Sequence, residues 1–179
     1  EGQPNQRMVF SRSSDEGHTW AAPKLLAGPE PPASGGLASW GFPMVSRSGR
    51  IYVIYSQHIG VNDYGTHTTG LMHGIYSDDA GRTWSQPQNI PMRRSPYDHP
   101  DPAVPANWIV WQKPLRLSQG KYFSGMTRWV SPSVRHQGPK VHQSWIQDEA
   151  VVEFMRWENI DDNPEPKAIV ISNFAFGDE

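Results

Sequence analysis

The residues whose types suit chemistry gather in three stretches of this chain. The first carries His58, Asp63, Tyr64 and His67, in and just before a loop at residues 59–69. The second holds Tyr97, Asp98, His99 and Asp101, in a crossing punctuated by Pro96, Pro100, Pro102 and Pro105. The third carries Arg128, Arg135, His136 and His142. Five of the seven histidines fall in these stretches, which marks them as the place to look for proton transfer or ligand contact. A carboxylic acid in such a loop can give a proton to a leaving group, and Asp63 is the candidate acid. Val61-Asn62-Asp63-Tyr64-Gly65 also has the composition of a plain turn. His58, Tyr64 and His67 suit an acid–base group, a sugar-contact surface or a zinc site, or act as ordinary hydrogen-bonded histidines around a tyrosine. Arg128 suits an anionic sugar group or a salt bridge between neighbouring sheets. Asp98 and His99 join it as substrate-contact candidates. Trp40 is the candidate for stacking on a sugar, whereas Trp108-Ile109-Val110-Trp111 reads as a packed inner strand.

Strands and turns must position these groups. The pattern Ser-x-Asp-x-Gly-x-Thr-Trp occurs twice, as Ser13, Asp15, Gly17, Thr19, Trp20 and as Ser77, Asp79, Gly81, Thr83, Trp84. Asp, Ser and Thr side chains bond nearby backbone and staple a turn. Gly17 and Gly81 supply the positive φ such a turn uses, and both tryptophans are expected to pack on an apolar layer below. Neither copy has the ligand series or closing glutamate of a calcium loop, so no metal is expected there. Between the boxes, residues 41–45 read as an inner strand, Ser48-Gly49 as a turn and residues 50–56 as a second strand. Ile51-Tyr52-Val53-Ile54-Tyr55 is apolar on both faces, as a doubly covered strand should be. A third strand precedes the second box, and a short fourth lies near residues 86–90. Pro43, Gly49 and Arg50 match Pro114, Gly120 and Lys121 at a constant offset of 71 positions. That places strands at about 108–117, 121–130, 150–157 and 168–172, with a degenerate box at 158–163 whose Asp161-Asp162 should be solvated.

The two boxes resemble those of the sialidase-type (BNR-repeat) β-propeller family. The resemblance implies an all-β partial β-propeller of four-stranded antiparallel blades. Residues 1–29 would be a half blade and 38–93 and 107–176 full ones, of a six-bladed ring. Two and a half blades cannot close, so missing blades or other chains would complete the ring. In that family the boxes lie away from the active site, so Asp15 and Asp79 are structural. The opposite face would carry an exo-acting glycoside hydrolase site on terminal sugars of glycans or acidic polysaccharides. Asp63 falls near the family's acid/base aspartate, while Gly41 and His58 stand where two substrate-clamping arginines would be. The nucleophile would lie outside this chain. A non-catalytic glycan- or protein-binding propeller, and a lyase using Tyr64 and His67, are the alternatives. Family habit implies secretion, to the periplasm or cell surface.

Composition narrows the rest. Net charge is −2 with no basic run, so nothing invites nucleic acid. No apolar run approaches the roughly 18 residues of a membrane span. Cysteine is absent, which removes disulfide and thiol chemistry. No cofactor is expected.

Overall fold

The computed structural model describes residues 6–28, 36–134 and 150–175. Its sheets are all antiparallel, and the only helical pieces among the described residues are two single 3-10 turns. The chain is all-β. Strand β1 (Met8–Phe10) pairs with β2 (Lys24–Ala27) around the first box. Strands β3 (Ala38–Val45), β4 (Ile51–Gln57), β5 (Leu71–Ser77) and β6 (Gln88–Asn89) form a meander in chain order. The third sheet runs β11 (Ile171–Ala175), β10 (Ala150–Trp157), β9 (Tyr122–Trp129), β7 (Asn107–Ile109), with β8 (Leu115–Arg116) on the far end of β9.

Three boundaries depart from the sequence pattern. Strand β3 begins at Ala38 and carries a bulge between Ser39 and Phe42. The strand expected over 108–117 is two pieces, β7 and β8, because ladder pairing lapses through residues 110–114. Pro114, which has no N–H to donate, closes that gap. The last strand starts at Ile171, since Pro166–Ala168 first makes a 3-10 turn with proline preset at its start.

The sheets stack in series around the middle one. Tyr52 and Ile54 of β4 join Phe42, Met44 and Met72 against Trp108, Tyr122, Met126, Met155 and Trp157 of the third sheet. Val53 and Tyr55, the alternate residues of the same strand, pack with Ile75 against Met8, Leu26 and Ala27 of the first. Period-two alternation of an all-apolar strand thus feeds two separate cores. Burial of each large side chain here contributes roughly 1.5–3 kcal/mol.

The segment after β10 clamps the third sheet onto the middle one. Where a degenerate box was expected, a 3-10 turn at Ile160–Asp162 ends on Asn163 in the left-handed region. Asp161 is bonded rather than solvated. It accepts from the Arg47 N–H (2.8 Å) and from Arg116 (2.6 Å). Asn163 accepts from Ser46 and Ser48, and its carbonyl accepts from Arg50 at 2.7 Å. Glu165 accepts from the Tyr76 hydroxyl (2.8 Å) and from Gln88 (2.6 Å).

Candidate functional site

The two boxes fold alike. In each, the serine hydroxyl donates to the aspartate and accepts from the glycine N–H, with 2.7 and 2.8 Å at Ser13 and 2.8 and 2.8 Å at Ser77. The aspartate then receives the N–H and the hydroxyl of the threonine, at 2.9 and 2.6 Å for Asp15 and 2.8 and 2.7 Å for Asp79. The Thr19 hydroxyl and N–H, with the Ser13 hydroxyl, hold the Asp15 carboxyl down at about 2. The Thr83 N–H and hydroxyl, with Ser77, depress Asp79 in the same way. The positive φ of Gly17 and Gly81 is shared by the residue before each, Glu16 (57°) and Ala80 (58°). Trp84 packs edge-on to Phe10 with centroids 5.4 Å apart. Trp20 does not pack below; it is 65% exposed and its indole N–H bonds back to the Gly17 carbonyl.

The second box joins β5 to β6, so the loop joining β4 to β5 lies at the opposite end of that sheet. There Asp63 sits half-buried in a polar cradle. Asn107 Nδ2 donates to its Oδ2 at 2.6 Å, and Ser131 Oγ to its Oδ1 at 3.0 Å. Thr69 completes the cradle: its Oγ1 donates to Asn107 Oδ1 at 2.6 Å and receives the N–H groups of Asp63, Tyr64 and Gly65. Thr69 and Asn107 are fully buried and pair across the two sheets. One aspartate thus ties the middle sheet's loop to both strands at one end of the β7–β9 pairing.

The remaining candidates fall elsewhere. His58 is buried; its Nδ1 receives the Gly60 N–H, so its Nε2 is the donor to Asn62 Oδ1 at 2.9 Å. Among the described residues no hydrogen bond or ion pair joins Asp63 to His58, His67 or Arg128. Arg128 is fully buried. Its Nη1 meets Asp98 at 2.6 Å, while Nε and Nη2 reach Glu153 at 2.9 and 3.2 Å. Asp98 is buried with it and also takes the Ser95 N–H. This triad pins the proline-rich crossing to β9 and β10. His99 accepts the Asp101 N–H on Nδ1 and gives its carbonyl to Arg94. Cavities of about 70 and 220 Å³ lie beneath the crossing, lined by Arg93 and Arg94 rather than by Asp63. Arg135, His136 and His142 lie outside the described residues. No group of three or more His, Asp or Glu among the described residues could hold a metal ion.

Aromatic rings border the Asp63 cradle. Tyr64 lies 5.9 Å from Trp129, Trp129 6.3 Å from Trp111, Trp111 5.2 Å from Trp40, and Trp40 6.4 Å from His67. Trp40, the sequence candidate for stacking, is in this cluster. Trp111 is the member the sequence pattern missed. Trp108 is fully buried as a packed strand residue should be, yet Trp111 is 58% exposed. Its position just past the last paired residue of β7, ahead of Pro114, is the signal that could have separated the two.

Serially stacked antiparallel sheets, two Asp-box hairpins with the same serine–aspartate–threonine bonding and a loop cluster at the far end define a repeat protein of the BNR type. The chain belongs to the BNR repeat-like domain family, whose profile matches residues 1–168. Comparison with curated proteins returns no matching relative. Among the described residues no helix is long and apolar enough to cross a membrane.

Proposed function

We propose that this chain is part of a sialidase-like β-propeller whose loop face binds a carbohydrate, and that it holds the sugar without cleaving it. Residues 1–29, 38–93 and 107–176 serve as a half blade and two full blades, with further blades or chains closing the ring. A doubly covered β4 supports that arrangement. The observation that carries the binding reading is the company Asp63 keeps. Its two donors, Asn107 and Ser131, are not acids or bases, and the nearby rings are aromatic. Fixed amide and hydroxyl contacts beside tryptophans are what a sugar site needs. Extracellular or periplasmic glycans are the natural ligands for such a face.

The hydrolase reading keeps one support: a half-exposed carboxylate at the place of the family's loop acid. Glycan-array binding and turnover of aryl glycosides by the full-length protein, each with Asp63→Asn alongside, separate the two. Binding without turnover is the expected result. Turnover that collapses in the variant would establish the hydrolase instead, and a protein that neither binds nor cleaves any glycan would end both.

A further inference from the structure

We propose that Trp111 and Asp63 form a subsite for a single neutral pyranose ring, one that disfavours carboxylated sugars. The inference rests on the carbohydrate-binding reading above and names the ligand class that reading leaves open.

The geometry of the rings sets the size of the ligand. Trp111 meets Trp40 and Trp129 at interplanar angles of 63° and 60°. Successive planes turned this far make no flat ribbon along which a linear chain could lie. One well-exposed indole remains, and it offers a platform for one ring. Axial C–H bonds of a pyranose carry partial positive charge and face the negative π surface of an indole. The Trp111 N–H is bonded to Thr127 Oγ1 at 2.9 Å, so the platform is held in place before any ligand arrives. A preorganised side chain loses little freedom on binding.

Local costs concentrate beneath this platform. Trp40 has φ of 54°, a left-handed conformation that a bulky residue rarely adopts. Its buried indole N–H has no hydrogen-bond partner among the described residues. Two penalties at one residue, in contact with the exposed ring, are the kind of strain that persists where a site needs it.

Charge selects the ligand. Asp63 reaches the cluster through Tyr64, which lies against Trp129, and through Ser131, two residues beyond Trp129. Each carboxylate oxygen accepts one internal bond and has capacity for a sugar hydroxyl. A ligand carboxylate would face this aspartate instead. The buried cation that could have compensated, Arg128, is already shared by Asp98 and Glu153. Arg94 is likewise engaged by the Val104 and His99 carbonyls. Like charges brought together are disfavoured, so carboxylated rings bind less well.

The test is titration of the full-length protein, by tryptophan fluorescence and calorimetry. The probes are methyl gluco-, galacto- and mannopyranosides, their counterparts oxidised to carboxylates at C6, and sialyllactose. Neutral glycosides are expected to bind about tenfold or more tightly than the matching carboxylates. Trp111→Ala should weaken neutral binding by about tenfold, with Trp111→Phe recovering part of it. Asp63→Asn should narrow the gap between neutral and charged probes. Carboxylates binding as well or better would overturn the inference and leave the carbohydrate reading standing. So would neutral binding indifferent to Trp111→Ala. Binding of none of these sugars would overturn the inference, and a blank glycan array beside it would remove the carbohydrate reading too.

Discussion

Arg128, a ligand-contact candidate in sequence, is held in a buried ion triad in the fold. Its guanidinium lies between Asp98 and Glu153, all three essentially out of solvent. Removing the cation would strand two carboxylates in the interior. Arg128→Met should therefore destabilise the protein by roughly 3–5 kcal/mol, read from urea unfolding midpoints. Arg128→Lys should recover little of this, since an ammonium cannot fork to both partners. A destabilisation under about 1 kcal/mol would mean the triad is not closed in solution. The sequence allowed the salt-bridge reading but could not name Glu153, because that partner is fixed by the β9–β10 register. Carboxylates also set the acid limit. Asp15 is held at about 2 against an ordinary 3.8, by Thr19 and Ser13. Burial alone would raise Glu158, but Lys121, Ser172 and Arg156 outweigh it and bring it to about 2. A depressed folded-state pKa adds stability above the unfolded value that is lost as pH falls through the folded one. Stability should thus be level from neutral pH to about 5 and decline from there toward about 2, with Asp15→Asn and Asp79→Asn flattening the decline. Unfolding midpoints measured at stepped pH check the shape of that curve.

Elements were legible where a local pattern determines them. The two boxes, the turn at Ser48-Gly49 and the doubly apolar β4 are each written in fewer than ten consecutive residues. What escaped depends on pairing across the chain. Trp111 was read with Trp108 as one packed strand, but β7 stops at Ile109 and the inward-outward alternation lapses with it. The bulge that turns Trp40 carries one mark, Gly41 beside it, which was read as the start of the inner strand. The segment at 158–163 kept the acidic look of a box while folding as a clamp, because its partners Ser46, Arg47 and Ser48 sit on another sheet. That clamp makes a prediction proper to the element. Asn163 tolerates its left-handed φ of 54° and accepts from two serines. Asn163→Ala keeps the strain and loses the acceptor, so it should cost about 1–2 kcal/mol in urea unfolding. Asn163→Gly removes the strain but not the lost bonds, and should fall between alanine and the native residue. Equal stability of all three would show that the third sheet docks without this clamp.

At the scale of the whole molecule, three sheets in series leave two outer faces, and their chemistry differs from that of a finished surface. On the third sheet Phe123 and Phe154 stack with centroids 5.4 Å apart, and Phe174 and Val152 beside them are 50% and 48% exposed. Phe154 pairs with Phe174 across β10 and β11, so these side chains share one side of the sheet. At the other end Val9 is 49% exposed on β1. Contiguous apolar sheet faces of this kind are interfaces or aggregation sites. The propeller reading assigns them to neighbouring blades, and so predicts that the chain expressed by itself associates. Sedimentation velocity should show mass rising with concentration, and dye binding should report exposed apolar surface. Val152→Glu with Phe174→Glu should lower the association without unfolding the stack, since neither side chain belongs to the core between the sheets. A chain that stays monomeric at high concentration and unfolds in one cooperative step would argue instead for a complete three-sheet unit. The loop face would then be a binding surface at the end of a short stack, with no central axis for a ligand to enter.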